Sequence, residues 1–252
     1  MIRRENRDAA DLVWLEHGKA NAIDVEMASE LVRELEEARA EDGVRALVLT
    51  AAGPIFSAGV DLFRLLEGGS RYVQEFLPVL RSLLVHLYTF PKPVIAALNG
   101  HAIAGGCVVA CACDLRLMSE GSGRIGVPEL RVGVPFPPLA LEIVRGAVPR
   151  RFLRELVYRG ETYSGPEALR RGLIDELVDA DRLVERALEA ARELASVPPA
   201  AFALTKRQMH GPVLERAAGG AGETAADGES VWMDPATHRA IRAYVEATLG
   251  RS

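Results

Sequence analysis

The sequence predicts an α/β protein, with a buried parallel sheet in its front half and a helical tail behind it. Three observations carry that expectation. Short runs of Val and Leu, "DLVWLEH" and "RALVLTA", read as fully buried strands. A capped helix lies between them, giving the strand–helix–strand order of a parallel crossover. Beyond "LALEIVRGAVP" the apolar positions repeat mostly at a helical period.

The elements follow in order. In "DVEMASELVRELEEARAEDG", Asp24 is a good cap, Met27, Leu31 and Leu35 share one face, and Gly43 is expected to close the helix. "GPIFSAGVDLFRLLEGG" reads as a loop leading into a short helix. "SRYVQEFLPVLRSLLVHLYTF" reads as a long apolar helix adjusted at Pro78. "PKPVIAALNG" is a third strand and "LRLMS" a fourth, with "RIGVPELRVGVPFPP" expected as a loop. The stretch "ERAAGGAGETAADGES" has weak periodicity and is expected as a mobile loop or frayed helix. "DPATHRAIRAYVEATLG" closes the chain as a clean helix, with Asp234 as cap, Pro235 in its first turn and a terminal Gly. No internal repeat is visible.

The chain has 252 residues, 49% of them hydrophobic, enough for a sizeable core in one or two domains. The net charge of −5 argues against a nucleic-acid partner, which would select a basic face. The N-terminus lacks the apolar core of a signal peptide, and no run approaches the ~18 apolar residues of a membrane span. The expectation is a cytoplasmic protein with no membrane partner. Only Lys19, Lys92 and Lys206 stand beside many arginines, a bias to which no chemistry attaches.

The stretch "HAIAGGCVVACACDLRL" holds all three cysteines, Cys107, Cys111 and Cys113. Two would share a helix face and the third would not, and no second pair exists elsewhere. That pattern fits buried free thiols better than a metal site, so no metal is expected. "GHAIAGG" lacks the dinucleotide glycine spacing, and "GPIFSAG" lacks the following Lys and Ser/Thr of a phosphate loop. Ser57 is not in a nucleophile elbow. His101 reads as a structural hydrogen-bonder. What remains is a pair of glycine loops, "SAGVD" and "AIAGGC", each following an apolar strand and opening a helix. Helix starts present free N–H groups, and one from each loop could converge on a single oxygen as an oxyanion hole. Taken alone, each loop is equally a tight strand-to-helix turn.

The sequence resembles the crotonase (enoyl-CoA hydratase/isomerase) superfamily. The matching residues run in order: "NAID" (21–24), "FSAGVDL" (56–62), "PKPVIAALNGHAIAGGC" (91–107), "CDLRL" (113–117), "IGVPELRVGV" (125–134), "ALRRGLIDELV" (168–178) and "LTKRQM" (204–209). The resemblance implies a spiral of ββα units over residues 1–195 and a helical C-terminal region, 196–252, serving oligomerisation as a homotrimer or hexamer. It implies an acyl-CoA thioester as substrate and no cofactor beyond that CoA. Carried over to this sequence, the oxyanion donors are the N–H groups of Val60 and Gly105. Ala58, Gly59, Val60, Asp61 and Leu62 line the bound CoA.

Family hydratases carry two glutamates, one after Gly-Gly-Cys and one after Pro. Here the first position is Val108 and the second is Glu129. Hydration needs a water activated and a proton delivered, work suited to two carboxylates. A 1,3 proton shift needs one base that takes a proton from C2 and returns it at C4. The pattern resembles Δ3,Δ2-enoyl-CoA isomerases, with Glu129 as base and Ile125, Val127, Val108 and Phe136 burying it and raising its pKa. A hydratase, or another crotonase-type lyase, is the alternative within the superfamily. A non-catalytic CoA-ester binder is the alternative outside enzymes. Leu66, Tyr72, Phe76, Leu80, Pro137 and Pro138 are candidates to shape the acyl pocket. The stripe Ile241, Tyr244, Val245 and Leu249 could pack within the subunit or against a neighbour.

Overall fold

A computed structural model of the protein describes residues 1–7, 10–219 and 223–248. The chain opens with an antiparallel pair, β1 (Ile2–Arg7) and β2 (Ala10–Leu15), of which β1 carries too many charges to read as a strand from sequence. Helix α1 (Val25–Ala40) follows, its first turn capped by Asp24 Oδ1, which accepts the Met27 N–H at 2.8 Å. It ends at Glu41, not at Gly43, because the Glu41 N–H still reaches the Glu37 carbonyl while its own backbone has turned extended.

Three ββα units come next. They are β3 (Ala46–Ala51), β4 (Ile55–Ser57) and α2 (Leu62–Tyr88); then β5 (Val94–Leu98), β6 (His101–Ile103) and α3 (Gly105–Cys111); then β7 (Leu115–Ser119), β8 (Arg124–Gly126) and α4 (Glu129–Val132). In each unit the first strand joins one sheet and the second joins another. After α5 (Pro138–Ala147) and α6 (Arg150–Arg159), β9 (Thr162–Ser164), α7 (Gly165–Arg170) and β10 (Glu176–Val178) complete the two sheets. Their strand orders are β1-β2-β3-β5-β7-β10 and β4-β6-β8-β9, parallel except for the β1–β2 and β8–β9 pairs. This is the crotonase-like α/β spiral that the family resemblance implies.

The larger sheet explains why its strands read as unbroken apolar runs. Along β2, β3 and β5, Val13, Leu47, Leu49 and Ala96 face α1 and α2. The alternate residues Leu12, Val48, Ile95 and Ala97 face Leu183, Leu188 and Ala191 of α8 (Leu183–Ala195). Both faces are covered, so both sets must be apolar.

Two expectations change, and two open alternatives are settled. The expected short helix and the long one before "KPV" are both present as the two parts of α2 and meet at Gly69 (φ 58°, ψ −149°), whereas the backbone stays helical through Pro78. The segment 124–138 is β8 and α4 joined by a short turn, because its β-ladder partners lie far away in sequence, at β6 and β9. The weakly periodic stretch, 215–230, is helical where described, in keeping with the helical alternative of its reading: α9 (Pro199–Gly219) ends within it and α10 (Glu223–Met233) begins within it. In α11 (Pro235–Thr248), Ile241 and Val245 face inward, onto Leu65, Val73, Val132, Val134 and Trp232 of the same chain. Leu249 and the terminal Gly lie outside the described residues. Among those residues no helix is long and apolar enough to cross a membrane.

Candidate active site

The two glycine loops lie against each other. After β4 the chain turns through Gly59 at φ +87°, a conformation that L side chains rarely adopt. A Cβ there would strike the Ile103 carbonyl at 2.7 Å and the Gly105 nitrogen at 2.9 Å. The next residue, Val60, forms a bridge with Ile23: the Ile23 N–H donates to Gly59 O at 2.7 Å, and the Asp61 N–H to Ile23 O at 3.0 Å. Both neighbours of the Val60 amide are thereby bonded, and its own N–H has no partner among the described residues.

The second loop presents Gly105 as the first residue of α3. The preceding Ala104 is held at φ 50°, ψ −123°, one of only two non-glycine residues with positive φ among those described. Such strain costs about 1–3 kcal/mol and persists only where the surroundings enforce it. They do so here: the Ala104 N–H donates to Gly126 O at 2.8 Å and its carbonyl accepts the Val108 N–H at 3.0 Å. The Gly105 N–H is likewise unpartnered among the described residues.

Both loops open onto a cavity of about 1050 Å³, which Ala58, Val60, Asp61, Leu62, Gly105 and Val108 help to line. Glu129 lines it too, from the first turn of α4, only 7% exposed. Its Oε2 has no hydrogen-bond partner. Burial pushes the carboxyl up to about 8, against a smaller lowering by its own backbone N–H, and the nearby Cys111 adds slightly to the rise. Asp61, the other carboxylate at the cavity, is occupied structurally. Its Oδ1 caps α2 by accepting the N–H groups of Phe63 and Arg64 at 2.9 and 3.0 Å. The arrangement joins one unpaired, proton-poised acid to two free amide donors over an apolar floor.

Some expected residues stand elsewhere. Gly59 does not line the cavity; it backs onto the second loop and lets the two amides approach. Phe136 packs on the main core, and Pro137, in a run whose prolines fix the backbone, faces the cavity in its place. Of the acyl-pocket candidates, Leu80 and Pro137 line the cavity, whereas Phe76 is buried core and Leu66, Tyr72 and Pro138 lie outside the lining. Val127 and Ile125 are fully buried behind it. The His101 side chain lines the cavity and makes no hydrogen bond among the described residues, contrary to its reading as a structural hydrogen-bonder. The cysteines are free and buried. Sequence reasoning missed His17, Lys19, Trp232 and Tyr244, which also reach the cavity. Lys19 stands two residues before the "NAID" motif, a signal that could have flagged it; nothing in the weak periodicity around Trp232 could have done so.

Fold and site together define a crotonase-type chain. Residues 10–246 match the enoyl-CoA hydratase/isomerase family, and the chain belongs to that family of enzymes, which bind acyl-CoA thioesters. It is 34% identical over 212 residues to a putative enoyl-CoA hydratase of Thermus thermophilus, covering 83% of each chain. It is 28% identical over 211 residues to the mitochondrial enoyl-CoA delta isomerase 1 of Rattus norvegicus, covering 83% of this chain and 73% of the relative. Among solved structures, human mitochondrial Δ3,Δ2-enoyl-CoA isomerase superposes with a TM-score of 0.95 over 100% of this chain and 99% of that one. At 23% identity, that likeness speaks to the fold alone.

Proposed function

We propose that the protein is a Δ3,Δ2-enoyl-CoA isomerase. One observation carries this reading: a single buried carboxylate, Glu129, without a partner for Oε2, shares its cavity with Val108 where a second acid would stand for hydration. The Glu129 carboxylate takes a proton from C2 of a 3-enoyl-CoA. The released electron pair moves onto the thioester oxygen, and the dienolate is held by the Val60 and Gly105 N–H groups. The protonated Glu129 then returns the proton at C4 as the double bond settles between C2 and C3. The base ends as it began, and no cofactor beyond the CoA of the substrate enters. Ala58, Asp61 and Leu62 border the CoA side of the slot, and Val108 excludes water from the reacting carbons. Residues 1–195 supply the catalytic spiral, and 196–252 close the site and support assembly as a homotrimer or hexamer.

The test is Glu129→Gln with 3-enoyl-CoA esters of short and long chain, followed by the gain of conjugated-thioester absorbance. Isomerisation is expected to fall by about 10³-fold or more, with CoA-ester binding kept. Turnover near the wild-type rate in that variant sinks the reading. The second reading, an enoyl-CoA hydratase, is favoured by the name of the Thermus relative. Strong loss of absorbance from a 2-enoyl-CoA with the unmodified protein would replace the first reading by the second.

A further inference from the structure

A pair of amide donors is useful only if the two loops that carry them keep a fixed separation, and one side chain touches both. Ser57 ends β4 and is 1% exposed. Its hydroxyl donates to the Asn21 carbonyl at 2.7 Å and accepts the Gly59 N–H at 3.2 Å. Gly59 in turn passes its carbonyl to Ile23, so the peptide that bears the Val60 amide is fastened from behind. On the opposite side the same serine meets the start of α3. A Cβ on Gly106 would lie 2.4 Å from Ser57 O and 2.8 Å from Ser57 Cβ. Nothing but hydrogen fits between Ser57 and the turn that presents Gly105.

Asn21 anchors the serine. It sits at φ 45°, a conformation that asparagine tolerates better than most residues, and is 1% exposed. Its Oδ1 accepts the His17 N–H at 2.8 Å and its Nδ2 donates to Ile55 O at 2.9 Å. A parallel strap runs beside it, the Ala58 N–H donating to Ala20 O at 2.9 Å. The side chain thus ties the 17–24 loop to β4, and the main chain hands that constraint to Ser57.

We infer that Ser57, clamped by Asn21, is a positioning residue that sets the Val60 amide against the Gly105 amide. The inference rests on the function proposed above. A hydroxyl that merely satisfied buried polar groups would support stability alone. A hydroxyl that sets the spacing of two donors also governs how strongly they polarise a thioester carbonyl, and misplacement by about 1 Å can cost about 10²-fold in rate.

Two readouts on the full chain test it: kcat and KM with a 3-enoyl-CoA, and the red shift of a bound aryl-acryloyl-CoA, whose absorption moves to longer wavelength as its carbonyl is polarised. The variants are Ser57→Ala, and Asn21→Gly, which keeps the left-handed backbone but removes the clamp. Both are expected to shrink the shift and to lower kcat by about 10- to 100-fold, with KM changed less than about threefold. Should Ser57→Ala fail to fold, Asn21→Gly carries the test by the same readouts. A full wild-type shift with both variants matching it, or with the sole folded variant matching it, overturns the inference and leaves the donor pair standing. No shift in the wild-type protein overturns the donor pair itself, and this inference with it.

Discussion

Glu129 shows how burial raises the pKa of an ordinary acid. Its carboxyl holds a proton up to about pH 8 in the folded chain, whereas an unfolded glutamate releases it near about 4.3. Between those values the folded state binds more protons, so this group's contribution to stability falls as pH climbs through the window. It costs nothing below about pH 4, and the full cost is present above about pH 8. Glutamine carries no such cost, so Glu129→Gln is expected to be more stable than the wild type at pH 9, by a few kcal/mol in order of magnitude, and to melt at a higher temperature, with the gap closing at pH 4. Melting curves at the two pH values check the sign. For the wild type, kcat/KM should rise with pH to a plateau above about 8, because only the carboxylate can act as base. At the facing position, Val108→Glu restores the two-carboxylate arrangement. It is expected to bring weak hydration of a 2-enoyl-CoA and to depress isomerisation, both measured by thioester absorbance. The single acid was legible from sequence through the motif order alone; its desolvation was not, because the apolar lining of the cavity it shares comes from α2, α3, α4 and α5.

The short strands and turns decide the site more than the long helices do. β4, β6 and β8 have three residues each and carry almost no periodicity, yet they aim both donor loops and Glu129. Their flanking glycines are visible in the sequence but their pairing is not, since β8 finds β6 and β9 only in three dimensions. The joint between the donor loops is the vulnerable point. Gly59→Ala adds a Cβ that must push against the Ile103 carbonyl and the Gly105 nitrogen, at a residue with φ +87°. A loss of about 2–4 kcal/mol in urea unfolding is expected, together with a loss of turnover out of proportion to substrate binding. An unchanged kcat in a folded Gly59→Ala protein would show that the loops need not touch.

At the scale of the whole molecule, the helical tail is fastened to the spiral by a partly buried ion pair. Lys206 of α9, 5% exposed, places Nζ 2.7 Å from Asp114 Oδ2, and the same oxygen accepts the Val94 N–H at 2.8 Å. Lys206→Met leaves the partly buried Asp114 carboxylate without its cation, a change worth about 1–3 kcal/mol, below that of a fully buried pair. The expected outcome is a lower urea midpoint, partly recovered when Asp114→Asn is added. If the single variant unfolds at the wild-type midpoint, the pair does not hold the tail. The scarcity of lysine made this residue visible in the sequence but not its role, because its partner is 92 positions away. Further along, Trp232 donates Nε1–H to Pro135 O at 3.1 Å and lies with Ile241 and Val245 against α2 and the turn after α4. The tail therefore closes the cavity of its own subunit.

The sequence by itself determined the α/β class, the buried strands, the capped α1, the motif order that marks the family and the two residues, Val108 and Glu129, on which the choice of reaction turns. Those signals are local: composition, period, capping and glycine placement are written in neighbouring residues. Tertiary structure alone decided that the ββα units close into two sheets, that Gly59 and Gly106 admit no side chain, that Phe136 yields its place to Pro137 and that the last helices fold back over the cavity. Each of these depends on backbones distant in sequence meeting at van der Waals range. No internal repeat announced the spiral, because each unit keeps a path of hydrogen bonds and apolar faces, and many different side chains satisfy the same path.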